Sequence, residues 1–174
     1  MLTQSPWGTS HVKTAASMAI QLLLLAFIAV AFFIRTPQVS GFSMAPHIDS
    51  GEFVVINTAA YRLGAVRRGD IIAFEHDRPA PSVYLKRIVG LPGERVEIRH
   101  GAVFIDRAQL AEPYVRYRDD RSTAPVTVAA GSYYVLGDNR ANSDDSRDWG
   151  LVPSGEIIGK AVVAIWPPAH FGAL

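Results

Sequence analysis

Two hydrophobic patterns divide this chain. Residues 15–34, "AASMAIQLLLLAFIAVAFFI", run apolar for 20 positions, with Ser17 and Gln21 the only polar side chains. A run of that length predicts a helix of about 30 Å, enough to cross a hydrocarbon core. A cleaved signal peptide would carry about 7–15 apolar residues and a small-residue exit. This run leaves through Phe32, Phe33, Ile34 and Arg35 instead, so one uncleaved transmembrane anchor is expected over residues 15–35, behind a short tail over 1–14. Lys13 and Arg35 stand one on each side of the run and give no charge bias to orient it.

Beyond residue 35 the period shortens to that of strands. "EFVVIN" (52–57), "DIIAFEH" (70–76), "SVYLKRIVGL" (82–91), "ERVEI" (94–98), "AVFID" (102–106), "SYYVLGD" (132–138) and "EIIGKAVVAIW" (156–166) are short, rich in Val, Ile, Tyr and Phe, and set off by Gly and Pro. His100 and Gly101 read as the turn of a hairpin. Residues 107–131 are charged and weakly periodic and read as a loop or small cap excursion. Helix and strand do not alternate, so a doubly wound sheet is disfavoured and one mainly β, antiparallel domain is expected over residues 36–174.

Composition narrows the chemistry. With 17 Lys and Arg against 16 Asp and Glu, and no basic block, the chain lacks the footprint of a nucleic-acid binder. It has no cysteine, which excludes thiolate nucleophiles and cysteine-held zinc. No cofactor or metal is expected. Only Lys13, Lys86 and Lys160 are lysines.

The stretch "SGFSMAPHI" at residues 40–48 places Ser43 just beyond the apolar run. A serine hydroxyl is a weak nucleophile until a base takes its proton. Ala45 stands where the nucleophile elbow G-x-S-x-G needs glycine, so an α/β-hydrolase site is excluded. Of the histidines, His11, His100 and His170 are poorly placed, and neither His47 nor His76 has an evident orienting carboxylate. The other source of a base is a lysine neutralised by burial. Alternation in "SVYLKRIVG" puts Tyr84, Lys86 and Ile88 on one face, and the neighbouring Arg87 stays charged in proteins. The amine would have to fall to somewhere near 8. The alternative is a Lys86–Arg87 pair whose heads reach water at a sheet edge. The polar loop at residues 136–150, "LGDNRANSDDSRDWG", fails the calcium-loop pattern at Arg140 and Ser143 and reads otherwise as a solvated turn.

Four blocks in this order behind one apolar run, "SGFSMAPHI", "RRGDIIAF", "LKRIVGLPGE" and "GDNRANSDDSRDWGLVP", resemble bacterial type I signal peptidase over roughly residues 36–168. The closing "IWPPAHFG" is similar to that family's last strand and exit. The resemblance implies an antiparallel β peptidase domain with a Ser43 nucleophile and a Lys86 general base. It further implies that Ser143 orients the lysine and that Asp145 and Arg147 form a supporting ion pair. Several relatives have a serine two residues before the nucleophile as an oxyanion donor; here that residue is Gly41, which leaves the Ser43 backbone N–H, with Ser40 one residue further upstream. Substrate pockets are expected at Met44, Ile48, Tyr84 and Leu85. The implied partners are preprotein signal peptides, cut after A-x-A type sites, and the lipid bilayer, with the domain on the extracytoplasmic face of the bacterial cytoplasmic membrane. The readings this competes with are a peptidase dedicated to one substrate and a tethered binding module.

Overall fold

The computed structural model describes residues 8–76, 82–168 and 172–174. His170 and the tail up to residue 7 lie outside them. The chain divides into two compact units at Ile34 and Arg35. In the first, the helix α1 (Gly8–Phe32) spans 25 residues. Side chains along α1 are described over residues 12–28, 31 and 32. Among the described residues no helix is long and apolar enough to cross a membrane. A two-residue extended segment, β1 (Ile34–Arg35), lies at the boundary.

The second unit is built of antiparallel strands, and the longer ones fall close to the stretches the sequence marks, with β8 the exception. The strands are β2 (Phe53–Asn57), β3 (Ile71–His76), β4 (Ser82–Gly90), β5 (Arg95–Arg99), β6 (Ala102–Ile105), β7 (Ala108–Gln109), β8 (Thr123–Thr127), β9 (Ser132–Leu136), β10 (Val152–Pro153), β11 (Ile157–Trp166) and β12 (Gly172–Ala173). One sheet runs β2-β11-β3-β4-β9-β10, with β12 also on β11; a smaller one runs β7-β6-β5-β8. Short α2 (Ala60–Leu63) and α3 (Ser146–Trp149) fill connections. The β5–β6 turn is left-handed at both His100 (φ 46) and Gly101 (φ 74), as a tight hairpin requires.

Three apolar clusters hold the domain. Ile71, Val54, Ala161, Met44 and Ile48 form one. Ile72, Phe74, Ile88, Val135 and Val152 form another, and Val89, Val96, Ile98, Val103, Val128, Tyr134 and Leu136 join the small sheet to β9. Ile71, Ile72, Ala73 and Phe74 are all buried, which is why "IIAF" reads as an unbroken apolar run rather than an alternating one.

Residues 107–131, expected as a loop or small cap excursion, form an excursion that carries strands. They contribute β7 and β8, the latter pairing Thr127 with Arg95 and Val126 with Val96, and they bury Glu112, Val115 and Val128. The signal is weak because β8 is an exposed edge strand carrying Pro125, so neither its composition nor its alternation marks it.

Candidate active site

Ser43 stands in a turn, not on a strand. The turn closes on itself through His47 N to Met44 O (3.0 Å), Ile48 N to Met44 O (3.1 Å) and Ala45 N to Phe42 O (3.2 Å). Met44 and Ile48, which follow it in the turn, are sunk into the cluster with Val54 and Ile71, and their burial holds Ser43 at the surface of the core. Phe42 stays half-exposed.

Lys86 comes from the middle of β4, opposite Ile72 on β3. It is 2 % exposed, and its Nζ lies 2.7 Å from Ser43 Oγ. Burial pushes the amine down to about 8; the carboxylates of Asp145, Asp144 and Asp138 pull it up, and Arg147 pushes it down again. The burial effect is the largest, so the amine is close to half neutral near pH 8. Tyr84, on the same face of β4, has its ring centroid 5.8 Å from Nζ. The snorkelling alternative is thus not what the fold does with Lys86. Arg87 is equally enclosed but spoken for: Nε and Nη2 reach Asp138 at 2.8 and 2.6 Å, Nη1 reaches Gly69 O at 2.8 Å, and the guanidinium lies 4.2 Å from the Tyr114 ring centroid.

The polar loop after β9 is folded onto the Ser43 turn. Asp145 is fully buried; it accepts from Arg147 Nε (2.7 Å), Arg147 Nη2 (2.8 Å) and Gly137 N (3.0 Å), while Arg147 also reaches Asp119 at 2.6 Å. Asp145 also caps α3, accepting from Arg147 N. Three aspartates of the loop, Asp138, Asp145 and Asp148, each face an arginine. Ser143 Oγ is buried without a hydrogen-bond partner. It lies against Gly137 and makes no hydrogen bond to Lys86.

Gly137 is required by close approach: a Cβ there would sit 2.2 Å from Ser143 Oγ and 2.5 Å from the Ser43 carbonyl oxygen. Gly41 has φ +100, a left-handed value suited to glycine, and its N–H donates to Ser50 Oγ at 3.2 Å.

A cleft of about 460 Å³ opens beside Ser43 and Lys86, between the 37–40 segment and the first half of β4. Met44, Tyr84 and Leu85 line it, with Ser40 and with Val39 and Ile56, which the sequence analysis did not single out. Ile48 does not: it is 0 % exposed and packs in the core beneath, because the turn that exposes Ser43 folds Ile48 inward. The histidines also need correcting. His47 Nδ1 stands 3.5 Å from Asp138 and His76 Nδ1 3.6 Å from Glu156, so each does face a carboxylate. The hydroxyl of Ser43 is met by Lys86.

A serine hydroxyl against a buried amine, at the side of a cleft in an antiparallel sheet, is an arrangement able to perform acyl transfer without histidine, cysteine or metal ligands of its own. The comparisons agree with that class. Residues 12–166 match the family model described as signal peptidase, peptidase S26. A signal peptidase I from Leptolyngbya laminosa is 39 % identical over 166 residues, covering 91 % of this chain and 79 % of the relative. One from Bacillus caldolyticus is 36 % identical over 147 residues, 76 % of this chain and 80 % of that one. A crystal structure of a signal peptidase I from Enterococcus faecalis V583 aligns with 56 % of this chain and 97 % of that one, at 34 % identity and TM-score 0.49. The chain belongs to the signal peptidase, peptidase S26 family and is a serine endopeptidase of the signal peptidase I type.

Proposed function

We propose that the protein is a membrane-anchored endopeptidase that removes signal peptides from exported preproteins, with Ser43 as nucleophile and Lys86 as general base. The observation that carries this reading is the 2.7 Å approach of Lys86 Nζ to Ser43 Oγ in a pocket that holds the amine to about 8. The neutral amine takes the hydroxyl proton as Oγ attacks the scissile carbonyl carbon. The Ser43 backbone N–H donates to the oxyanion that forms. Collapse breaks the C–N bond, the leaving amine takes the proton from Lys86, and the signal peptide remains as an ester on Ser43. Water, deprotonated by Lys86, cleaves the ester and restores the hydroxyl. In this reading Asp145 and Arg147 hold the loop against the turn, and Ser143, whose Oγ is buried without a hydrogen-bond partner, receives the amine when it turns from Ser43.

Specificity for A-x-A type sites follows from a shallow cleft walled by Met44, Tyr84 and Leu85, which leaves room for small side chains at alternate positions of an extended substrate. The anchor is residues 15–34: the run is apolar, α1 covers nearly all of it, and Leu22, Leu23 and Phe27 present their side chains outward. The reading places the catalytic unit on the extracytoplasmic face of the bacterial cytoplasmic membrane, where signal-peptide cut sites emerge.

The test is cleavage of a preprotein by the purified full chain in detergent. Cutting after an A-x-A site, abolished by Ser43→Ala and by Lys86→Ala with the fold retained, is the expected result. Substantial cutting by either variant would reassign the nucleophile or the base.

A further inference from the structure

Asn139 touches the Ser43 turn in a way no other side chain of the loop does. It is buried, donates from Nδ2 to Phe42 O at 3.1 Å, and donates its backbone N–H to Ser43 O at 3.0 Å. Its Oδ1 accepts from Asn142 N at 3.2 Å, capping the single 3-10 turn Arg140–Asn142, so the side-chain amide is held at both ends.

The carbonyl of Phe42 and the N–H of Ser43 belong to one peptide unit. That unit is trans, the cis bonds among the described residues being Ala45–Pro46 and Trp166–Pro167. In a planar trans amide the C=O and N–H point in opposite directions. A donor that fixes Phe42 O therefore fixes the line along which Ser43 N–H points, away from Asn139. A hydrogen bond to the carbonyl also polarises the amide and strengthens its N–H as a donor. We propose that Asn139 is a positioning residue for the reaction, aiming and polarising the Ser43 N–H toward the developing oxyanion through the Phe42 carbonyl. The inference rests on Ser43 being the nucleophile. The backbone bonds from Asn139 N–H to Ser43 O and from Ala45 N–H to Phe42 O do not need the side chain at 139, whose own bonds are those to Phe42 O and from Asn142 N–H.

Two variants of the full chain test it. Asn139→Ala removes the side-chain bond without altering charge. Asn139→Asp keeps the volume and the acceptor for Asn142 N–H but turns an acceptor toward Phe42 O, so it carries the test if the alanine variant folds poorly. Both should lower kcat on a preprotein about 10- to 100-fold, somewhat less than outright loss of an oxyanion donor. KM should stay within about twofold, because the amide acts on the transition state rather than on substrate binding. In Asn139→Ala the pH midpoint of kcat should not move, since Lys86 and its charged neighbours are untouched. Wild-type kcat in both variants would overturn the inference. So would a loss that comes with a displaced pH midpoint in Asn139→Ala, or one that vanishes when activity is counted per folded molecule. Ser43→Ala in the same assay separates the two levels: if it cuts, the nucleophile assignment fails and takes this inference with it; if it is inert while both Asn139 variants cut normally, only the role of Asn139 falls.

Discussion

At position 86 the fold holds an amine whose charged form it disfavours, and two measurable consequences follow. The first concerns rate. Only the neutral amine accepts the Ser43 proton, so kcat/KM should rise about tenfold per pH unit below a midpoint close to 8 and level off above it. A profile flat from about pH 5 to 9 would remove Lys86 as the base. The second concerns stability. The folded value lies below the ordinary 10.5, so between about 8 and 10.5 the unfolded chain binds more protons than the folded one and stability rises with pH. Below about 8 the full cost is present, on the order of 3 kcal/mol. Lys86→Met, of similar length and no charge, should therefore abolish cutting while raising the unfolding free energy at pH 7 by about 1–3 kcal/mol, as denaturant titration would show. Unchanged or lower stability would mean that the site compensates the buried amine better than its surroundings suggest. Gly137 makes the complementary case. Gly137→Ala would drive a methyl into Ser143 Oγ and the Ser43 carbonyl, and is expected to cost about 1–3 kcal/mol and to reduce kcat more than tenfold by shifting the turn.

Among the elements, β4 serves both the core and the site, and its sequence shows one role better than the other. "RIVG" is legible as strand from its composition, while alternation and the scarcity of lysines leave Lys86 open between a buried amine and a surface cation until the family resemblance is added. The buried partnership of Arg87 with Asp138 was not, because its members are 51 residues apart and nothing local distinguishes a buried arginine from a surface one. The same reason hid the pairing of Glu112 with Arg140, whereas β8 looks like a loop because it is an exposed edge strand carrying Pro125. Spacing likewise gave no warning that Ile48 turns inward, since a turn has no period from which to read faces. The bidentate Arg87–Asp138 pair locks β4 to the loop after β9, one residue from Lys86 and one from Asn139. Asp138→Ala leaves the guanidinium buried without its carboxylate, and is expected to cost about 3–5 kcal/mol by thermal or chemical denaturation. Arg87→Lys should recover little of what Arg87→Met loses, because a point charge cannot reproduce the two-pronged contact. Full recovery would show that charge alone, without the fork, ties the strand to the loop.

For the molecule as a whole, the division at Ile34 and Arg35 separates the helix α1 from the unit that holds Ser43 and Lys86. Ser43 and Lys86, which the proposed reaction uses in bond making, and Asn139, Asp145 and Arg147, which support them, lie in the second unit together with the three apolar clusters. The first unit holds the apolar helix α1, and the residues lining the cleft fall at 37–40, 43, 44, 56 and 82–86. If that helix is an anchor, its contribution is concentration: a substrate and an enzyme held in the same bilayer meet as if tethered, at effective concentrations that short tethers raise to about the millimolar range. A chain beginning at Arg35 should therefore keep kcat/KM on a short soluble peptide within about twofold of the full chain, since the chemistry is intact. On a preprotein embedded in vesicles, the same truncation should slow cleavage about 10- to 1000-fold at equal enzyme and lipid, and added enzyme should restore the rate. Loss on the short peptide as well would mean that residues 8–34 support the fold of the catalytic unit. Equal rates on the embedded substrate would mean that the helix does not bring enzyme and substrate together, and the apolar run would need another purpose.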